Sequence, residues 1–284
     1  MQTRRLGDAQ VSAIGLGAMP LTTDRRPDEE QAMRTVHAAL DAGVTLIDTA
    51  DAYTPSGRSA GLNEEVIARG LSSYSGSTDD VIVATKGGHT RDGGDWGVNG
   101  RPDYLRSACE ASLRRLQVEA IGLYQHHRPD PDIPYAETMG GLKQLYDAGL
   151  IQRAGISNAD PDQIRLAADI LGDALVSVQN QFSPKFRSSE PEIAVCDELG
   201  LAFLPWSPLG GMGEAKDLGE KYAAFADIAR DHGVSAQQVC LAWELAVSTG
   251  IIPIPGASRP ESILDSVEAT DLQLSDDELA ALSQ

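Results

Sequence analysis

Five side chains in this sequence fall where an enzyme would use them. Asp48 closes the apolar run "VTLID", Lys86 closes "VIVATK", His126 and His127 close "IGLYQHH", and Tyr53 follows in the loop after Asp48. A carboxylate, a phenol, an ammonium and an imidazole brought to one place can protonate an oxygen. Free tyrosine titrates near pH ~10, too high for an efficient proton donor at neutral pH. A cation beside it favours the phenolate and lowers that value, and an acid keeps the cation charged. Lys86 is therefore expected to lower the Tyr53 pKa, with a histidine orienting the receiving oxygen or sharing its proton. Each residue also has an ordinary explanation: Asp48 caps a turn, Tyr53 packs on its loop, Lys86 sits on a rim, and a lone histidine is more often structural. Their joint position at consecutive run ends argues for chemistry. Adjacent strand residues point to opposite faces, so only one of His126 and His127 serves the site, and alternation alone leaves open which.

The chemistry requires those runs to meet. Along the chain, short apolar runs rich in β-branched residues alternate with segments of helical periodicity. "PDEEQAMRTVHAALDAG" is typical, with acids in its first turn and Gly43 as a stop. Eight runs, "AIGL", "VTLID", "VIVATK", "IGLYQHH", "IQRAGIS", "ALVSVQNQ", "LAFLPWS" and "IIPIPG", are each followed by helix. Such alternation predicts a parallel sheet. Eight units in 284 residues favour a closed (β/α)8 TIM barrel over an open doubly wound sheet. "TRRLG" and "VSAIGLG" around "GDAQ" predict a short N-terminal β-hairpin. No linker or compositional break divides the chain, so one domain is expected over residues 1–284. A barrel gathers function at the C-terminal ends of its strands. That face would also receive Ser157 and Asn158, Gln179 to Gln181, Trp206 and Ser207, and the "PGAS" turn.

Composition narrows the function class. Lys plus Arg number 23 against 42 Asp plus Glu, a net charge of −19. An acidic surface repels nucleic acid and anionic membranes. Cys109, Cys196 and Cys240 are far apart in sequence and have no metal-ligand spacing, so reduced, buried thiols are expected and no metal. The N-terminal "MQTRRLGDAQ" has no apolar leader, and no run reaches membrane-spanning length. The expected location is the cytoplasm.

At this point the sequence resembles the aldo-keto reductases, in the manner of a short bacterial member. The matching stretches "GLGAMPL", "LIDTADAY", "VATKGG", "LYQHHRPDP", "GISN", "VQNQFSP", "WSPLGGMG" and "IPGASRPESI" occur in family order over nearly the whole chain. The resemblance implies a (β/α)8 barrel that reduces aldehydes and ketones with a nicotinamide dinucleotide, usually NADPH. Its catalytic tetrad maps onto Asp48, Tyr53, Lys86 and one histidine. The family's strand-four motif, Asp-Leu-Tyr-x-x-His, selects His127. It puts His126 at a position that is usually apolar, as a packing residue, and Gly122 where Asp is common.

The resemblance also assigns a cofactor site. Ser157, Asn158 and Gln179 would hold the nicotinamide carboxamide, since such side chains supply both donors and acceptors. Trp206 would stack on the nicotinamide where Tyr or Phe is more usual. Ala18, Met19, Ser207, Leu209 and Gly211 would lie along the cofactor, with "SPLGGMG" offering backbone N–H groups to the pyrophosphate. At the adenosine end Gly256 and Ser262 stand where NADPH-preferring relatives carry Lys and Arg. Ser258 and Arg259 are left nearby for a 2′-phosphate, and Asp265 for the adenine. NADPH is expected, with NADH as the alternative. The Gly-rich segment "GGHTRDGGDWGVNGRP" is a lid, a pocket wall or a connector, and the early stop after the last helix implies an open pocket. A monomer acting on a small carbonyl substrate is expected. Two other readings of the same residues are a Schiff-base lyase using Lys86 and a non-catalytic nicotinamide-binding regulatory subunit.

Overall fold

The computed structural model describes residues 1–92, 95–211 and 213–283. Strands β1 (Thr3–Leu6) and β2 (Ala9–Ser12) pair as an antiparallel hairpin. The turn is tighter than the sequence suggested: Gly7 takes a left-handed φ of 63°, so Ala9 and Gln10 already belong to the second arm. A parallel sheet then runs in the order β3 (Leu16–Gly17), β4 (Leu46–Asp48), β5 (Ile82–Gly87), β8 (Leu123–His126), β9 (Ala154–Ser157), β10 (Leu175–Gln179) and β11 (Ala202–Phe203). Between β5 and β8, strands β6 (His89–Asp92) and β7 (Asp95–Val98) form a second antiparallel hairpin.

The eighth run, "IIPIPG", closes the barrel without forming a regular strand. Phe203 N–H donates to Gly250 O at 2.9 Å and Ile252 N–H to Phe203 O at 2.9 Å. On the other side, Gly15 N–H donates to Pro253 O at 2.9 Å and Gly17 N–H to Pro255 O at 3.0 Å. Pro253 and Pro255 have no N–H to return to β3, so the ladder on that side does not complete. The closure is tight: a Cβ on Gly17 would lie 2.6 Å from Ile254 O. The result is a (β/α)8 barrel with an N-terminal hairpin. Leu46, Ala84, Leu123, Val176, Ala202, Leu204, Ile252 and Ile254 fill its interior, and Leu6 and Val11 of the hairpin join them.

Helices α1 (Glu29–Asp41), α2 (Leu62–Ser72), α3 (Pro102–Leu116), α4 (Tyr135–Asp147), α5 (Pro161–Leu171) and α6 (Glu190–Leu199) lie between the strands in sequence. They are followed by α7 (Leu218–Lys221), α8 (Ala223–His232), α9 (Ala236–Val247), α10 (Pro260–Glu268) and α11 (Asp276–Leu282). The three cysteines are buried and free, and burial pushes the Cys109 and Cys196 thiols up to about 12. Among the described residues no helix is long and apolar enough to cross a membrane, and no cluster of side chains is arranged to hold a metal ion.

Helix α9 contains one group at odds with its surroundings. Glu244 is fully buried, and neither carboxyl oxygen has a hydrogen-bond partner among the described residues. Burial pushes its carboxyl far above the ordinary range. The folded protein therefore keeps the proton where the unfolded chain, with an ordinary value near ~4.5, releases it. Stability falls as pH rises from that value upward. Glu244→Leu is expected to stabilise the protein by about 2 kcal/mol at pH ~4, where it removes a buried unpaired carboxyl, and by clearly more near neutral pH, where the unfolded wild-type chain also gains by ionising. Urea unfolding of both proteins at the two pH values checks this, and equal gains at both would refute it.

Candidate active site

The strand ends deliver the side chains that the sequence placed there. The Lys86 ammonium is fully buried and donates to Asp48 Oδ2 at 2.6 Å, to the Thr49 carbonyl at 2.9 Å and to the Tyr53 hydroxyl at 3.2 Å. The Tyr53 ring meets His127 edge-on, with centroids 5.7 Å apart. Alternation along β8 explains the histidine pair. Leu123 points into the barrel and Gln125 into the cluster around Asp48. Tyr124 points out into the helix layer. His126 follows Tyr124 outward and packs 5.9 Å from the Tyr135 ring on α4, while His127 faces the cavity.

Asp48 is the hub of the polar cluster. Its Oδ1 accepts from Gln179 Nε2 at 2.8 Å and from Gln125 Nε2 at 3.2 Å, so three side chains hold one carboxylate. Gln125 was missed at the sequence level, although it lies two residues before His127 and so on the same face. Ser157 Oγ donates to Gln179 O at 2.6 Å. Asn158 adopts a left-handed φ of 58°, which its side chain tolerates. Its Nδ2 donates to His127 O at 2.9 Å and Ser157 Oγ at 3.0 Å.

Burial changes the expected electrostatics of the phenol. The sequence led to a lowered Tyr53 pKa, yet it is raised. Loss of solvent outweighs the opposing Lys86 charge, and the negative charge of Asp48 adds to the rise. Burial also works against the Lys86 charge, but Asp48 and Tyr53 overcome it and hold the ammonium above its usual range. His127 falls well below the ordinary imidazole value through burial first, then the Lys86 charge. The cluster thus combines a neutral imidazole, a protonated phenol and a charged lysine.

Part of this cluster borders a cavity of about 450 Å³, a size suited to a small-molecule site. Met19, Asp48, Tyr53, His127, Ser157, Asn158, Gln179, Trp206, Ser207, Leu209, Gly211, Gly256 and Ser258 line it. Several expected residues stand back from it. Ala18 is fully buried, and its N–H donates to Asp48 O at 2.8 Å. Arg259 Nε donates to Ser262 Oγ at 3.1 Å outside the lining. Asp265 accepts from Ser235 Oγ at 2.9 Å and Gln238 Nε2 at 2.7 Å, which occupies it at the start of α9. In "SPLGGMG", Met212 lies outside the described residues. The Gly-rich segment after β5 is the β6–β7 hairpin, with residues 93 and 94 outside the described set, and it supplies a wall. His89 stacks on Trp96 with centroids 4.5 Å apart and meets His127 edge-on at 4.8 Å. His89, Arg25 and Arg128 also line the cavity and were not expected.

A parallel barrel with this polar cluster at its strand ends has the form of a barrel oxidoreductase. The aldo/keto reductase family profile matches residues 13–284. The chain is 34% identical over 287 residues to an uncharacterised oxidoreductase of Schizosaccharomyces pombe, covering 99% of this chain and 89% of that one. It is 32% identical over 299 residues to a probable aldo-keto reductase of Glycine max, covering 95% and 84%. The structure resembles that of an aldo/keto reductase from Klebsiella pneumoniae in complex with NADP and acetate, with a TM-score of 0.82, 29% identity and coverage of 99% and 94%. The chain belongs to the aldo/keto reductase family. It is an NAD(P)H-dependent oxidoreductase acting on carbonyl groups.

Proposed function

We propose that the protein reduces aldehydes and ketones to alcohols, reversibly, with NADPH, and that Tyr53 is the proton donor. The observation that carries this reading is the Lys86 ammonium, bonded at once to Asp48 and to the Tyr53 hydroxyl, both of which line the cavity. The cofactor supplies hydride to the carbonyl carbon when bound. A carbonyl oxygen seated between Tyr53 and His127 gains negative charge in that step. Neutral His127 donates a hydrogen bond to it from one ring nitrogen, and Tyr53 transfers its proton. Lys86 then faces a forming phenolate, and its attraction grows with the charge. Asp48 keeps Lys86 charged, and Gln125 and Gln179 keep Asp48 in place.

The residues present suit the cofactor. Asn158 and Gln179 spend their N–H groups inside the cluster, which leaves their carbonyl oxygens for a carboxamide N–H. The half-buried Trp206 offers a face beside them. Arg25 and Ser258, on the cavity wall with Gly256, suit the phosphates that NADPH carries, and the relative from Klebsiella pneumoniae binds NADP. A Schiff-base reaction, by contrast, calls for a reachable, uncharged amine. Lys86 is enclosed and held as an ammonium, so borohydride is expected to trap no substrate adduct.

A carbonyl panel read by NADPH and, separately, NADH absorbance tests the proposal. Turnover with no carbonyl in the panel would end it. The two histidines give a sharper check. His127→Ala is expected to lower kcat/KM by about 100-fold, and His126→Ala by less than about tenfold, because His126 packs against α4. The reverse ranking would overturn the assignment.

A further inference from the structure

Arg128 is one of several unpaired arginines, and it lies on the cavity wall. The guanidinium groups of Arg34, Arg69, Arg101, Arg115, Arg153 and Arg165 are all paired with carboxylates. Among the described residues Arg128, like Arg25 on the same wall, has no side-chain hydrogen bond or ion pair, although acids outnumber bases 42 to 23 in this chain. It is exposed, follows His127 directly and lines the cavity. Among the described residues the only carboxylate on the cavity wall is Asp48, whose charge is balanced by Lys86 at 2.6 Å. The uncompensated charge of the wall is therefore positive, against a strongly negative protein. Arg128 makes up the part of it beside the histidines, and its charge helps push both His89 and His127 down. Trp96, on the same wall, is half exposed and stacked on His89.

We propose that Arg128 is a specificity-determining residue that selects carbonyl substrates bearing an anionic group, a carboxylate or a phosphate. This rests on the reductase reading above. A guanidinium fork pairs with either anion through two parallel hydrogen bonds. An arginine left unpaired at a cavity mouth gains that interaction when such a substrate arrives, and the positive wall steers it in against the acidic surface. The anion lies remote from the reacting carbon, so the contact acts mainly through KM.

The test uses matched pairs that differ in charge: 4-formylbenzoate against its methyl ester, and glyceraldehyde 3-phosphate against glyceraldehyde, each at saturating NADPH. Wild-type protein is expected to prefer the anion in at least one pair by about tenfold in kcat/KM. The pair that responds identifies the source as carboxylate or phosphate. Arg128→Gln should erase that preference and Arg128→Glu should reverse it, chiefly through KM, and added salt should weaken it in the wild type. A preference that survives in Arg128→Gln, or no preference in either wild-type pair, overturns the inference while ester turnover leaves the reductase reading standing. Absence of turnover in all four compounds overturns both.

Discussion

Tyr53→Phe is expected to lower carbonyl reduction by about 1000-fold while leaving the NADPH dissociation constant within about threefold. The change removes one oxygen. Lys86 keeps Asp48 and the Thr49 carbonyl as acceptors, and the ring keeps its edge-on contact with His127. What is lost is the proton. Because Tyr53 sits above its ordinary value, the phenol is protonated throughout the neutral range. Reduction needs that protonated form, so its rate should hold as pH rises and fall only in the alkaline range. Oxidation of the alcohol needs the phenolate and should rise with pH over the same interval. His127 is held well below its usual value, so it adds no titration near neutrality. A kcat profile in both directions, with fluorescence titration of NADPH, checks each statement. A Phe variant retaining a tenth of the activity would mean that the proton comes from elsewhere.

The identity of these groups could be read from sequence because barrel architecture turns chain position into spatial position. A residue that ends a short apolar run lands on the same face as the next such residue, which brought Asp48, Lys86 and His127 together. The rule says nothing about depth. Lys86 beside Tyr53 suggested a lowered phenol pKa, but enclosure outweighs the neighbouring charge, and enclosure depends on elements remote in sequence. "IIPIPG" had the composition of a strand, yet its prolines accept hydrogen bonds from Gly15 and Gly17 without donating any. The β6–β7 hairpin was hidden by its glycines, which obscure period-2 alternation, so the segment read equally as a lid, a pocket wall or a connector, and the place of His89 in that wall went unseen. At the adenosine end, Arg259 and Asp265 have side-chain partners in Ser262, Ser235 and Gln238. No linear pattern reveals such contacts.

Lys86→Met separates the two jobs of the buried pair. The variant should lose about 3 kcal/mol of stability, because it leaves the Asp48 charge enclosed with only two neutral donors, Gln125 and Gln179. Reduction should fall by about 1000-fold, since no cation then faces the phenolate that forms on Tyr53. Either loss alone would be ambiguous, as a poorly folded protein is also inactive. Adding Asp48→Asn removes the orphaned charge and keeps the shape. Buried ion pairs replaced by neutral groups are often close to neutral in stability. The double variant should therefore recover most of the unfolding free energy, measured in urea, and almost none of the turnover. Recovery of both would reduce Lys86 to a structural cation, and the Tyr53 hydroxyl at 3.2 Å from it would have no electrostatic partner in the reaction. Recovery of neither would place the importance of the pair in the geometry of the barrel end. Stability without turnover is the outcome that requires the ammonium itself.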